Sequence, residues 1–210
     1  MSSNDWKIYH NILFNNNQQG DGIIDDFLNT RPRKVNNFMS KYARMKIINI
    51  SICRVPLNSK IKFILNLFTN GKVNEIKKRY NYDEIFHLYL LFTLENGERY
   101  LIEKNEVVSI KKFNNQYKKG DCKSKNIIVM FGGMIIKSEK NYTNMYKYSA
   151  HNDNCQKFIK TLLNNIGIFE FDDFIMQYHA NEILTGSRKK ISQIITNIAG
   201  IGRRFIGAGI

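Results

Sequence analysis

Residues 87–103 constrain the fold more tightly than any other stretch of this chain. His87-Leu-Tyr-Leu-Leu-Phe-Thr-Leu94 is an apolar and aromatic run, Asn96-Gly97 is a turn pair, and Arg99-Tyr-Leu-Ile-Glu103 returns. Two strand-forming runs on either side of Asn-Gly make an antiparallel hairpin. The chain is therefore expected to be built on an antiparallel sheet. Residues 107–111 read as a following strand. The β-branched run 46–53 reads as a preceding one, and 126–131 as a further apolar run closed by Gly132-Gly133. Ile61, Ile64, Leu65 and Phe68 fall at helical spacing, ended by Asn70-Gly71.

After Asn154 the period changes. Cys155, Phe158, Ile159, Leu162, Leu163 and Ile166 fall on one side of a helix that Gly167 stops. Phe171, Phe174, Ile175 and Tyr178 suggest another helix over 169–178. The fold class is thus α+β. Residues 1–44 read as a loosely organised extension that packs partly on a main domain of 45–180. Residues 181–210 form a basic tail.

At 210 residues the chain can hold one well-cored domain with appendages. A hydrophobic fraction of 43% excludes global disorder. The net charge of +14 fits attraction to nucleic acid, an anionic membrane or an acidic partner. It also fits AT-rich coding, which favours Lys, Asn and Ile. The lysines are scattered over nearly every segment, so specific nucleic-acid recognition is not expected. No run reaches the roughly 20 apolar residues of a membrane span, and no signal-peptide stretch opens the chain. Three cysteines, Cys53, Cys122 and Cys155, form neither a disulfide framework nor a zinc knuckle. A reducing compartment is expected, with no metal and no cofactor.

The same three cysteines compete as nucleophile. Cys53 lies in an apolar strand, where a thiol acts as a small core residue. Cys122 lies in a solvated basic loop without an obvious rigid base. Cys155 follows Asn152-Asp153-Asn154, all helix-capping types, and the first turn of a helix favours a thiolate. The stripe that contains it points inward to the sheet. Of the histidines, His10 lies in the extension, and His151 and His179 lie in loop or helix-end positions. His87 opens the hairpin, where a strand holds the imidazole at a fixed place.

A third polar residue orients the imidazole in such sites. Glu103 and Asn105 are the candidates, and hairpin arithmetic leaves both open. A two-residue loop at Asn96-Gly97 pairs His87 with Glu106 and puts both candidates on the opposite face. A three-residue loop over 95–97 pairs His87 with Asn105 and sets Glu103 diagonally on the same face. The second register is favoured because it gives the imidazole a partner. A salt bridge with a neighbouring lysine is the competing role for Glu103.

The boxes Tyr82-Asp-Glu-Ile-Phe-His87-Leu88, Tyr100-Leu-Ile-Glu103-Lys104-Asn105 and Asn154-Cys155-Gln156-Lys157-Phe158-Ile159 resemble the circularly permuted papain-like group. That group includes the NlpC-like and lecithin:retinol acyltransferase-like proteins, with a histidine strand before an Asn-Cys helix. The likeness is nearest to versions encoded by large DNA viruses and covers roughly 45–178. It implies a thiol hydrolase, of the thiol-protease or acyl-hydrolase kind, in a virion or the host cytoplasm. Its substrate would be a protein, a peptide or a lipid acyl group, with virion proteins as partners. The acyltransferases often carry a second histidine where this chain has none, which weighs against acyl transfer. The alternatives are a virion scaffold with the same fold and no required catalysis, and a lipid-acting enzyme.

In the tail, Ile191, Ile194, Ile195, Ile198, Ile201 and Phe205 keep helical spacing among basic and polar residues. Such a segment suits an anionic membrane surface, or docking on the domain or a protein partner.

Overall fold

The computed structural model describes residues 31–56, 72–79, 86–105, 107–114, 120–147 and 153–176. The part of the extension before residue 31, the helical spacing expected over 57–68, the tail, and His10, His151 and His179 lie outside the described residues. The elements run α1 (Arg33–Tyr42), β1 (Lys46–Pro56), α2 (Lys72–Arg79), β2 (Phe86–Leu94), β3 (Arg99–Lys104) and β4 (Val108–Lys112). They continue with β5 (Asp121–Met130), α3 (Phe131–Asn141), α4 (Cys155–Asn164) and the short α5 (Asp172–Ile175). The fold is α+β. Its strands form one antiparallel sheet in the order β4-β3-β2-β1-β5.

Strand alternation sorts the side chains between two faces. Leu88, Leu90, Phe92 and Leu94 of β2 join Ile47, Ile50 and Ile52 of β1, Tyr100 and Ile102 of β3, and Val108 and Ile110 of β4. α1, α3 and α4 cover this face with Phe38, Met39, Phe131, Met134, Phe158 and Leu162. Cys53, Tyr89, Leu91 and Leu101 make a smaller cluster on the other face. β2 is buried on both faces, which explains its unbroken apolar run. The register of β1 shifts between Ile47 and Asn49, so Ile47 and Ile50, three residues apart, both reach the core.

Two segments differ from expectation. Residues 33–42, placed in the extension, form a regular helix whose Val35, Phe38, Met39 and Tyr42 belong to the main core. Phe38 packs edge-on to Tyr100 at 4.7 Å and to Phe131 at 4.8 Å, and Tyr100 donates to the Tyr42 hydroxyl at 2.7 Å. Just before α1, Arg31 grips Glu139 of α3 with two bonds of 2.7 Å, and the Tyr146 hydroxyl donates to the same carboxylate at 2.5 Å. Both ion-pair side chains are only 4% exposed.

The second difference is at Gly132-Gly133, which close nothing: α3 starts at Phe131, directly after β5. The Gly132 N–H donates to the Ala43 carbonyl at 2.9 Å, and a Cβ at 132 would lie 2.9 Å from Ala43. The glycine serves close approach of two backbones rather than helix breaking.

The cysteine expectation is corrected. The β1–β5 register sets Cys53 opposite Cys122, with Cα atoms 4.1 Å apart, and the two are joined as a disulfide. Cys122 lies on a strand, and Cys155 is the free thiol. An intact disulfide is at odds with the expected reducing compartment, where such bonds are kept open. Among the described residues no helix is long and apolar enough to cross a membrane.

Candidate active site

Cys155 owes its position to the way α4 begins and packs. Asn154 is the N-cap, and its side-chain oxygen accepts from the N–H groups of Gln156 at 3.0 Å and Lys157 at 3.1 Å. Buried Phe158, Ile159, Leu162 and Leu163 fix the roll of the helix against the sheet. At the far end, Gly167 takes a φ of +79°, and the Ile168 N–H returns to the Leu163 carbonyl at 3.0 Å. Cys155 is thereby the first helical residue, half-buried, where the helix dipole favours negative charge.

His87 stands at the start of β2, half-buried. The hairpin takes the three-residue register: Tyr89 faces Glu103 and Thr93 faces Arg99, with Gly97 at a φ of +83° in the turn. Extended by one pair, that register sets His87 opposite Asn105 and puts Glu103 on its diagonal. Glu103 is the residue in contact. Its Oε2 is 3.3 Å from His87 Nε2, while its Oε1 accepts from Lys111 Nζ at 2.7 Å and Ser109 Oγ at 3.3 Å. The carboxylate thus holds the imidazole and the lysine at once. Asn105 lies just past the end of β3 and is half-buried.

The electrostatics of the three groups interlock. Burial of the imidazole works to lower its pKa, but the neighbouring Cys155 sulfur and the Glu103 carboxylate outweigh it and raise His87 to about 10. Burial works to raise Cys155, yet the His87 charge, together with the N–H groups of Leu88 and of Cys155 itself, brings it below the ordinary thiol value. Glu103 is likewise opposed by burial and overcome by His87 and Lys111, which bring it down to about 2. The mutual shifts favour a thiolate beside an imidazolium, backed by a carboxylate. That arrangement can attack an electrophilic carbon and hand a proton to a leaving group.

Two contributors escape a reading of the sequence. The Leu88 N–H reaches the thiol because the β2–β3 ladder has already ended at Tyr89 and Glu103. Lys104 is fully buried on the opposite face of β3 from Glu103. Its parity with Tyr100 and Ile102 in the hairpin was the available signal. Among the described residues, no cluster of three or more His, Cys, Asp or Glu side chains is placed to hold a metal ion. No family model, curated protein or solved structure matches the chain.

Proposed function

We propose that the chain is a cysteine hydrolase of permuted papain-like fold that cleaves an amide or ester bond through Cys155, His87 and Glu103. One observation carries this reading: His87 bonds Glu103 while it and the Cys155 thiol shift each other toward the charged pair. The order of elements, a histidine strand before a cysteine helix, supports it further. So does the likeness of the sequence boxes to viral papain-like proteins, which also underlies a virion setting, one that the Cys53–Cys122 disulfide tolerates. Direct interaction between the two groups favours catalysis over a scaffold role.

The chemistry runs in two halves. The Cys155 thiolate forms a bond to the carbonyl carbon, and the carbonyl π electrons move to oxygen. The N–H groups of Cys155 and Leu88 are the donors at hand for that oxyanion. As the tetrahedral adduct collapses, the C–N or C–O bond breaks and the leaving group takes the His87 proton. A thioester remains. Neutral His87 then removes a proton from water, whose oxygen attacks the thioester and releases the acid and the thiolate. Glu103 keeps the imidazole oriented and stabilises its charged form.

Incubation of the full chain with activated acyl esters and peptide amides, followed by intact-mass measurement, tests this reading. The expected result is an acyl adduct on Cys155, lost on Cys155→Ala together with turnover. Turnover that persists in Cys155→Ala, or the absence of any Cys155 adduct across both donor classes, overturns it.

A further inference from the structure

Burying an ammonium is expensive unless something nearby needs the charge. Lys104 has no exposed surface, and its described contacts are loose. Its Nζ lies 3.5 Å from the Tyr142 hydroxyl, 3.4 Å from the Asn144 carbonyl, and over the rings of Tyr142 at 5.2 Å and Phe158 at 5.9 Å. The Tyr142 hydroxyl donates to Asp153 at 2.7 Å. Asp153 lies two residues before Cys155, and Phe158 lies three residues after it. The ammonium thus lies over Phe158 of the first turns of α4 and is linked to Asp153, just before the helix, through the Tyr142 hydroxyl.

That is the positive end of a helix, where a cation is unwelcome unless anions answer it. Asp153 is one such anion, and the Cys155 thiolate is the other. We propose that Lys104 is a positioning residue for Cys155: its buried ammonium adds a second positive charge under the first turn of α4 that favours the thiolate. The inference rests on the reading of Cys155 as a thiolate nucleophile.

The surrounding charges agree with it. Burial lowers the Lys104 pKa to about 8, with Asp153 and Cys155 opposing that fall and Lys157 adding to it. Lys157 faces Asp153 at 3.4 Å and lies over the Tyr142 ring at 4.7 Å, so the charged groups about Lys104 are Asp153, Lys157 and Cys155.

Lys104→Met keeps an unbranched stem of similar length and removes the charge; Lys104→Arg keeps the charge. The readout is the rate of iodoacetamide alkylation of Cys155 in the full chain between pH 4 and 10, with the melting temperature as control. Lys104→Met is expected to alkylate about tenfold more slowly at pH 6, with its pH midpoint raised by about one unit. Lys104→Arg is expected to follow the wild-type profile. If both variants shift alike, or if Lys104→Met melts lower with an unchanged profile, the lysine is structural and the inference falls.

Linkage is reciprocal, so the unsubstituted chain offers a second readout. The ¹³Cε signal of Lys104 should titrate at lower pH after Cys155 is capped with the neutral carbamidomethyl group. An unmoved titration overturns the inference even if Lys104→Met does not fold. A wild-type Cys155 that alkylates only at an ordinary thiol pH overturns instead the proposed function on which it rests.

Discussion

Cys53 and Cys155 lie against the same strand and meet opposite chemical fates. Cys53 faces Tyr89 of β2 on one side and Cys122 of β5 on the other, and the second sulfur consumes it in a disulfide. Cys155 meets the N–H of the adjacent Leu88 and the His87 side chain, and no sulfur. A thiol across an antiparallel ladder finds a fixed neighbour at bonding distance. A thiol on the first turn of a helix finds donors and a cation. The comparison shows that the state of each cysteine is set by what the fold puts opposite it rather than by its local sequence.

The strongest way to break that contrast is to remove the cation. His87→Ala is expected to slow alkylation of Cys155 at pH 6 by about 10² or more, measured by intact mass against iodoacetamide. A rate within threefold of wild type would show that the helix terminus alone sets the thiol. The converse test opens the bonded pair. The disulfide closes a loop with a sequence separation of 69, so Cys122→Ser should lower stability by about 3 to 4 kcal/mol in urea unfolding. Cys155 alkylation should stay within about twofold. A parallel loss of reactivity would mean that the two cysteine regions are coupled.

The smallest effect sharpens the contrast. Glu103→Gln keeps the shape but removes the charge behind the imidazole, and about a tenfold fall in turnover is expected. The sign on stability follows from the shifts. Glu103 is held at about 2, below its ordinary 4.5, so its contribution is present above pH 4.5 and lost as pH falls through about 2. His87 is raised from 6.5 to about 10, so its contribution is full below pH 6.5 and fades as pH rises through about 10. Acid unfolding of Glu103→Gln should therefore be shallower between pH 4.5 and 2. An unchanged acid limb would show that Glu103 is not held by the site.

Much of the sheet was legible because its signals are local. Asn96-Gly97 located the hairpin, the alternation bounded β1 to β4 within a few residues, and the favoured three-residue register is the one observed. Asn154 announced the start of α4 in the same way. What was hidden depends on partners distant in the chain. Nothing near Cys53 or Cys122 signals that β5 pairs with β1 rather than with β4. Gly132-Gly133 read as a break because Ala43, the backbone that needs the space, lies far back in the sequence. The burial of Lys104 likewise depends on a distant element, α4, packing against β3. In the site, the sequence named Cys155 and His87 and left Glu103 and Asn105 open. The register placed both candidates, and a carboxylate reaching diagonally made the contact.

The Arg31–Glu139 clamp bears on where this fold can be cut. A fragment beginning at Met45, the boundary that local patterns suggest, would lose α1 from one flank of the core. Among the described residues it would leave the Glu139 carboxylate the Tyr146 hydroxyl alone as partner. An uncompensated buried charge of that kind costs about 3 to 5 kcal/mol, a large part of what a domain of this size can spare. The smallest autonomous unit therefore starts no later than Arg31, and residues 31–45 are part of the domain.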